Sequence, residues 1–269
     1  MKIATWNINS VRLRIGLVTD FLKEEAPDVL CLQEIKCLDD QFPAKALRAA
    51  GYGHFAVSGQ KGYHGVAIVS RHPLADIEAR AFCGKDDRRH IAATLPGGLR
   101  VHNFYVPAGG DEPDPSTNEK FAHKLDFMRD MAAWFAGEAA NGRRKVVLAG
   151  DLNIAPREHD VWSHKQLLDV VSHTPVEVEL MDAALESGGW TDVARALVPE
   201  PEKIYTWWSY RAIDWRASNR GRRLDHIWVS PALRKAATAG GRDAFKVHDR
   251  CRDWPKASDH VPVTIELSL

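Results

Sequence analysis

Seven short apolar runs rich in β-branched residues constrain this chain most: "KIATWNI", "DVLCLQE", "GVAIVS", "LRVHNFYVP", "KVVLAGDLN", "LDHIWVS" and "VPVTIEL". Each reads as a buried strand. Between them lie segments of helical period: 11 to 25 places Val11, Ile15, Val18, Phe21 and Leu22 on one face, and 119 to 136 does the same with Phe121, Leu125, Met128 and Phe135. Turn chemistry or proline ends each of them. Strands mixed with amphipathic helices predict an α/β fold whose sheets are covered by helices. With no internal repeat and no Pro/Ser-rich linker, the 269 residues are expected to form one domain, 1–269. "PAGGDEPDPS" at 107 to 116 is expected to be a mobile loop, and "GQKGYHG" at 59 to 65 a turn before the strand "VAIVS".

The same letters exclude several function classes. No run reaches the roughly 18 apolar residues of a membrane span, and "MKIATWNINSVRLR" has no apolar stretch behind its charges, so a cytoplasmic protein is expected. Cys31, Cys37, Cys83 and Cys251 form no CxxC pair, which argues against a zinc site or a disulfide framework. There is no GxSxG nucleophile elbow and no GxxxxGK[ST] phosphate loop. Lys plus Arg equals Asp plus Glu at 36 each, but the charge is unevenly placed. From 177 to 202 seven acids and one Arg leave −6; from 203 to 223 six bases and one acid leave +5. The basic stretch also holds Tyr205, Trp207, Trp208, Tyr210 and Trp215, a mixture suited to a phosphate-rich ligand that carries bases.

Polar residues recur at the ends of the strand runs: Asn7, Glu34, Tyr105, Asp151 with Asn153, Asp225, and the pair Asp259-His260 in "SDHVPV". Any one of them reads as a turn former or cap. Six together converge on one rim if the strands lie side by side, as functional groups do on a rigid scaffold. Oxygen ligands without cysteine select Mg²⁺, with Mn²⁺ as a substitute, and Mg²⁺ takes only one or two protein carboxylates. Glu34 fits such a ligand. Asp151 suits the orientation of an attacking water, and Asn153 the holding of that water or of a phosphate. Tyr105 suits donation to an oxygen or service to a leaving group. His260, sustained by Asp225 or Asp259, suits a charged donor to the phosphate. The chemistry these residues predict is metal-assisted phosphoester hydrolysis.

The motifs "NIN" (7–9), "LQEIK" (32–36), "NFYVP" (103–107), "GDLNIAP" (150–156), "YTWWSYR" (205–211), "NRGRRLDHIWVS" (219–230) and "SDHVPV" (258–263) span essentially the whole chain. In order and spacing they resemble the exonuclease III family of abasic-site endonucleases, within the endonuclease/exonuclease/phosphatase superfamily. The resemblance implies a four-layered α/β sandwich of the DNase I-like kind, two mixed β-sheets packed face to face with helices outside. It implies a monomer acting with Mg²⁺ on double-stranded DNA, cleaving 5′ to abasic sites and processing damaged 3′ ends as exonuclease, phosphatase and phosphodiesterase. Carried over by motif, Glu34 is the metal ligand, with Asn7 and Asp259 close by. Asp151, Asn153, Tyr105, His260 and Asp225 are the catalytic set. Trp207 lines the pocket for a base-less sugar; Lys36, Arg89, Arg222 and Arg223 are the DNA-contact candidates.

Two positions depart from the family pattern. Ala108 stands where relatives often place Asn or Gln, and Arg222 where they often place an apolar residue lining the abasic pocket. Arg222 would narrow that pocket or add a phosphate contact, whereas the small Ser172 would leave room. Alternative readings are a 3′-end exonuclease with weak abasic activity, an inositol phosphate or phospholipid phosphodiesterase, and a silent nucleic-acid-binding relative.

Overall fold

The computed structural model describes residues 1–138 and 143–269. One six-stranded sheet is built from β1 (Lys2–Asn7), β2 (Val29–Gln33), β3 (His54–Ser58), β4 (Val66–Ser70), β13 (Phe245–Val247) and β14 (Val263–Glu266), in the order β13-β14-β1-β2-β4-β3. The other holds β5 (Ala75–Glu78), β6 (His90–Leu95), β7 (Leu99–Tyr105), β8 (Val146–Asp151), β9 (Thr191–Asp192) and β12 (Asp225–Val229), in the order β5-β6-β7-β8-β12-β9. Each sheet is antiparallel apart from one central parallel pair, β1 with β2 and β7 with β8. A short ribbon of β10 (Trp207–Trp208) and β11 (Gly221–Arg222) stands apart from both.

All seven runs expected to be strands are strands, and their alternation explains the layers. Ile3, Cys31, Ile68 and Val263 of the first sheet meet Val101, Val147, Ala149 and Ile227 of the second in one buried cluster. The opposite faces of the same strands, Ala4, Trp6, Leu30 and Leu32, pack under the helix Ile15–Glu25 with its Val18, Phe21 and Leu22. On the far side Phe104 and Leu148 pack under Phe127, Met128 and Phe135 of the helix Glu119–Glu138 and Met181 of the helix Pro175–Ser187. Helix, sheet, sheet and helix make the four layers expected.

The inter-sheet layer changes character along the strands. It is apolar in the middle and becomes polar toward one rim, where Gln33 Nε2 donates to Asn103 Oδ1 at 2.7 Å and to Thr5 Oγ1 at 3.0 Å. Asn103 in turn donates to the carbonyls of Leu32 and Ala67, both at 2.9 Å, so these buried amides tie one sheet to the other. Breaking such a bond costs about 1–3 kcal/mol because the remaining group is stranded away from water.

The first helix begins at Ile15 rather than Val11, because Val11 N is held by the Ile35 carbonyl at 3.2 Å and Arg14 anchors the preceding turn through the carbonyls of Asn9 and Lys256. The 107–116 segment, expected to be mobile, is tethered: Asn118 Nδ2 donates to the carbonyls of Gly109 and Glu112. Residues 59–65 form the expected bend before β4. No helix among the described residues is long and apolar enough to cross a membrane.

Candidate active site

Strand register assembles the site. Across the second sheet Tyr105 pairs with Asp151, and Asp151 with Asp225, so three polar side chains stand in one row on β7, β8 and β12. Gly150 permits this. Its φ is +154° and a Cβ there would collide with the Phe104 backbone, so only glycine lets β8 lie this close to β7 just before Asp151. From the first sheet come Asn7, ending β1, and Glu34, which follows β2 in a left-handed conformation with φ +50°. The rim faces where the two sheets meet.

Asn7 joins the sheets: its Nδ2 donates to Glu34 Oε1 and to Asp151 Oδ2, both at 2.9 Å. Tyr105 Oη donates to the same Glu34 oxygen at 2.8 Å. Lys36 Nζ pairs with Glu34 Oε2 at 2.8 Å and donates to Asn9 Oδ1 at 2.7 Å. Asp259 accepts from Asn9 Nδ2 at 3.3 Å and from Trp207 Nε1 at 3.0 Å. Asn153, at φ +54°, folds back so that its N–H donates to Asp151 Oδ1 at 2.9 Å. His260 Nδ1 lies 2.8 Å from Asp225 Oδ2, and its Nε2 lies 3.7 Å from Asp151 Oδ2. The alternative left open for the partner of His260 is thereby decided in favour of Asp225.

The electrostatics follow from burial and charge count. Burial, with the charges of Asp225 and Glu34, pushes the Asp151 carboxyl up to about 7 against the opposing pull of His260 and Asn7. Burial alone would lower His260, but Asp225 and Asp151 raise it to about 10, so the imidazole is charged near neutral pH. Burial would raise Glu34, yet Lys36 holds it below its ordinary value. Burial and the Glu34 and Asp151 charges push the Tyr105 phenol well up, keeping its proton in place.

Asp151, Asp225 and His260 offer ligand atoms within 4.8 Å of one another. A charged imidazole is a poor metal ligand, so this trio reads as an acid–base cluster. The carboxylate suited to a cation is Glu34 beside it, held below its ordinary value and therefore ionised, with Asn7 and Tyr105 donating to one oxygen and Lys36 paired with the other. Glu34 would hold the ion, with Asn7 and Asp259 at hand.

Thr206, Asn9 and Lys124 join the site without having been expected there. Thr206 Oγ1 donates to Asp225 Oδ2 at 2.6 Å. Lys124, fully buried, pairs with the equally buried Glu177 and donates to the Asn153 carbonyl at 2.7 Å, bracing the turn that carries Asn153. Its signal was in the spacing Phe121, Lys124, Leu125, Met128, which puts a lysine on an apolar helical stripe.

Of the DNA-contact candidates, Trp207 and Arg222 line one cavity of about 620 Å³ with Asn153, Ser172, Leu224 and Asp259. Arg89 borders a second cleft beside Tyr105, but its guanidinium pairs with Asp87 and lies 4.8 Å from the centre of the Tyr105 ring. Arg223 is a correction. It has no exposed surface, and its guanidinium pairs with Asp160 and Asp192, each at 2.8 Å, so it holds the fold and meets no ligand.

The profile of the Endonuclease/Exonuclease/phosphatase family matches residues 4–260. The chain belongs to the endonuclease/exonuclease/phosphatase family. Within that family, zebrafish "DNA repair nuclease APEX1" is 31% identical over 283 residues, covering 100% of this chain and 83% of the relative. "Exodeoxyribonuclease III" of Haemophilus influenzae is also 31% identical, over 99% of this chain and all of its own length. Among solved structures, a 3′-5′ exonuclease from Neisseria meningitidis is 36% identical with a TM-score of 0.89, and an AP endonuclease from Archaeoglobus fulgidus is 32% identical with a TM-score of 0.90, each covering 100% of both chains. The Neisseria enzyme is also known as a 3′ phosphatase bound to product DNA hairpin, again at 36% identity. The family member described here therefore shares its DNase I-like fold along its full length with proteins named as a 3′-5′ exonuclease, a 3′ phosphatase and an AP endonuclease.

Proposed function

We infer that this chain is a DNA-repair nuclease that hydrolyses phosphodiesters with Mg²⁺, or Mn²⁺ in its place, incising duplex DNA 5′ to abasic sites and processing 3′ ends. The observation that carries this is Asp151. It is a buried carboxylate near neutral in its proton affinity, between a charged His260 and the Asn7–Glu34 pair, and it adjoins the Trp207 cavity through Asn153.

Each side chain has a task in the hydrolysis. Asp151 accepts the proton of a water whose oxygen forms a bond to phosphorus, a transfer suited to a base near the working pH. His260, held charged by Asp225, donates to a non-bridging oxygen of the phosphate as the P–O3′ bond breaks. Tyr105 keeps its proton and is a donor for a phosphate or leaving oxygen. Asn153, braced by Lys124, positions the phosphate or the water. Bound at Glu34, Mg²⁺ supplies charge to offset the negative charge that builds on the phosphate. Trp207 forms a wall for the residue beyond the scissile phosphorus. A cytoplasmic monomer of one domain, on double-stranded DNA, completes the reading, and the four free cysteines suit a reducing compartment.

The test is a side-by-side assay, with Mg²⁺ and with EDTA, on a duplex with one internal abasic-site analogue and on a duplex with a recessed 3′ end. Metal-dependent incision of the first and trimming of the second are expected. Silence on both would return the chain to the phosphodiesterase or binding-protein readings. A second reading, a 3′-end enzyme with weak abasic incision, is favoured by the arginine in the Trp207 cavity.

A further inference from the structure

Arg222 is the unusual element of that cavity. Its Nη1 donates to the Val171 carbonyl at 2.9 Å and to Ser172 Oγ at 2.7 Å, which fixes one end of the guanidinium to the cavity wall. Among the described residues its buried Nε has no partner and its Nη2 forms no hydrogen bond. Nε is closed off by the wall, so Nη2 is the end of this cavity-lining guanidinium left to an anion, and its bond to a carboxylate is charge-assisted. Among the described residues no carboxylate pairs with it. Its neighbour Arg223, just past the end of β11, has two carboxylate partners among the described residues and Arg222 has none.

The rest of the lining does not neutralise this charge. Asp259 is engaged by Asn9 and Trp207, Arg220 lies 4.7 Å over the Trp162 ring, and the lining also holds Arg211 and Asp111. Arg222 itself stands over the Trp207 ring, 5.4 Å from its centre. A base-less deoxyribose offers hydroxyls and a ring oxygen but no anion. A desolvated guanidinium with an unpartnered Nη2 gains far more from a carboxylate.

We propose that Arg222 makes the Trp207 cavity an anion-accepting pocket, which selects 3′ ends whose terminal phosphate carries a small carboxylate-bearing group in preference to the neutral sugar of an internal abasic site. This rests on the nuclease reading, with the group beyond the scissile phosphorus lodged in that cavity. The reaction is the same hydrolysis: water oxygen bonds to phosphorus, P–O3′ breaks, the DNA is left with a 3′-hydroxyl, and the blocking group departs as its phosphate monoester.

The experiment compares two duplex ends of equal size, one closed by a 3′-phosphoglycolate and one by its uncharged amide, 3′-phosphoglycolamide. The wild-type enzyme is expected to show kcat/KM higher for the carboxylate by on the order of tenfold, the worth of one charge-assisted pair. In Arg222→Met that ratio should fall to about one, with Arg222→Lys in between, because lysine keeps the charge and loses the planar guanidinium that the Val171 and Ser172 contacts hold in place. Equal wild-type rates on the two ends would overturn the proposal without any variant, as would the same preference in Arg222→Met. A wild-type enzyme that opens neither end overturns the nuclease reading itself and the pocket with it, a result separable from cleavage without discrimination.

Discussion

Arg223 and Asp225 are two residues apart and both are buried, yet they belong to charge clusters of opposite kind. Around Arg223 the account is closed. Its guanidinium meets both oxygens of Asp160 at 2.8 Å and Asp192 at 2.8 Å, Arg195 adds a second cation on Asp160, and the Arg157 N–H donates to Asp160 at 3.0 Å. Two acids face two arginines, and although burial would raise Asp160, the arginines hold it below its ordinary value. Around Asp225 the cluster is open: Asp225 Oδ1 has no partner, and Asp151 is pushed up to about 7. A buried carboxylate with its full set of partners stabilises a shape. One left short of positive charge is matched to something that arrives later, here a cation and a phosphate.

The contrast breaks most visibly on the open side. Asp151→Asn keeps the size and removes the base, so turnover in Mg²⁺ on the abasic duplex should fall about 10³-fold while the circular dichroism spectrum stays that of the wild type. Retention of rate within tenfold would remove Asp151 from the proton transfer. On the closed side the effect is on stability. Arg223→Met strands Asp160 and Asp192 with too little positive charge and should cost about 3–5 kcal/mol in urea unfolding. An unchanged midpoint would mean that the cluster around Arg223 holds nothing together.

How much of this was legible beforehand depends on whether the signal was local. Strand runs with apolar faces were legible, and so was the rim, because a polar residue ending an apolar run must emerge where the strands stop. Two of the strands that escaped notice lack that contrast: β5, "ADIE", is exposed throughout, and β6, "HIAATL", hides its pattern in alanines and a buried histidine. Thr206 and Asn9 act through partners 19 and 250 residues away, which no local pattern encodes. Arg223 was misread for a different reason. A basic, aromatic stretch gives the sign of the charge but not its side, and neighbours in extended chain point to opposite faces, so only one of Arg222 and Arg223 could reach the cavity.

The smallest effect separates the clusters most sharply, since they pull stability in opposite directions with pH. Asp160 has its folded pKa below the usual carboxyl value of 3.8, so its contribution is present above that value and is lost only as the pH falls through the folded pKa. Asp151 has its folded pKa raised from 3.8 to about 7, so the folded state binds this proton more tightly than the unfolded chain. Its contribution is fully present below pH 3.8 and is lost as the pH rises toward about 7. His260, raised from 6.5 to about 10, loses its own contribution as the pH rises from 6.5 toward about 10, but the wild type and Asp151→Asn both carry that loss, since Asp225, the first charge that raises it, is present in both. Measured in EDTA, Asp151→Asn should therefore gain about 2–3 kcal/mol on the wild type between pH 5 and pH 8, whatever constant cost the amide carries in lost hydrogen bonds. Arg223→Met should show no such gain over that interval. Parallel curves for wild type and Asp151→Asn would mean that the carboxylate is already ionised at pH 5, and that the open cluster is as well satisfied as the closed one.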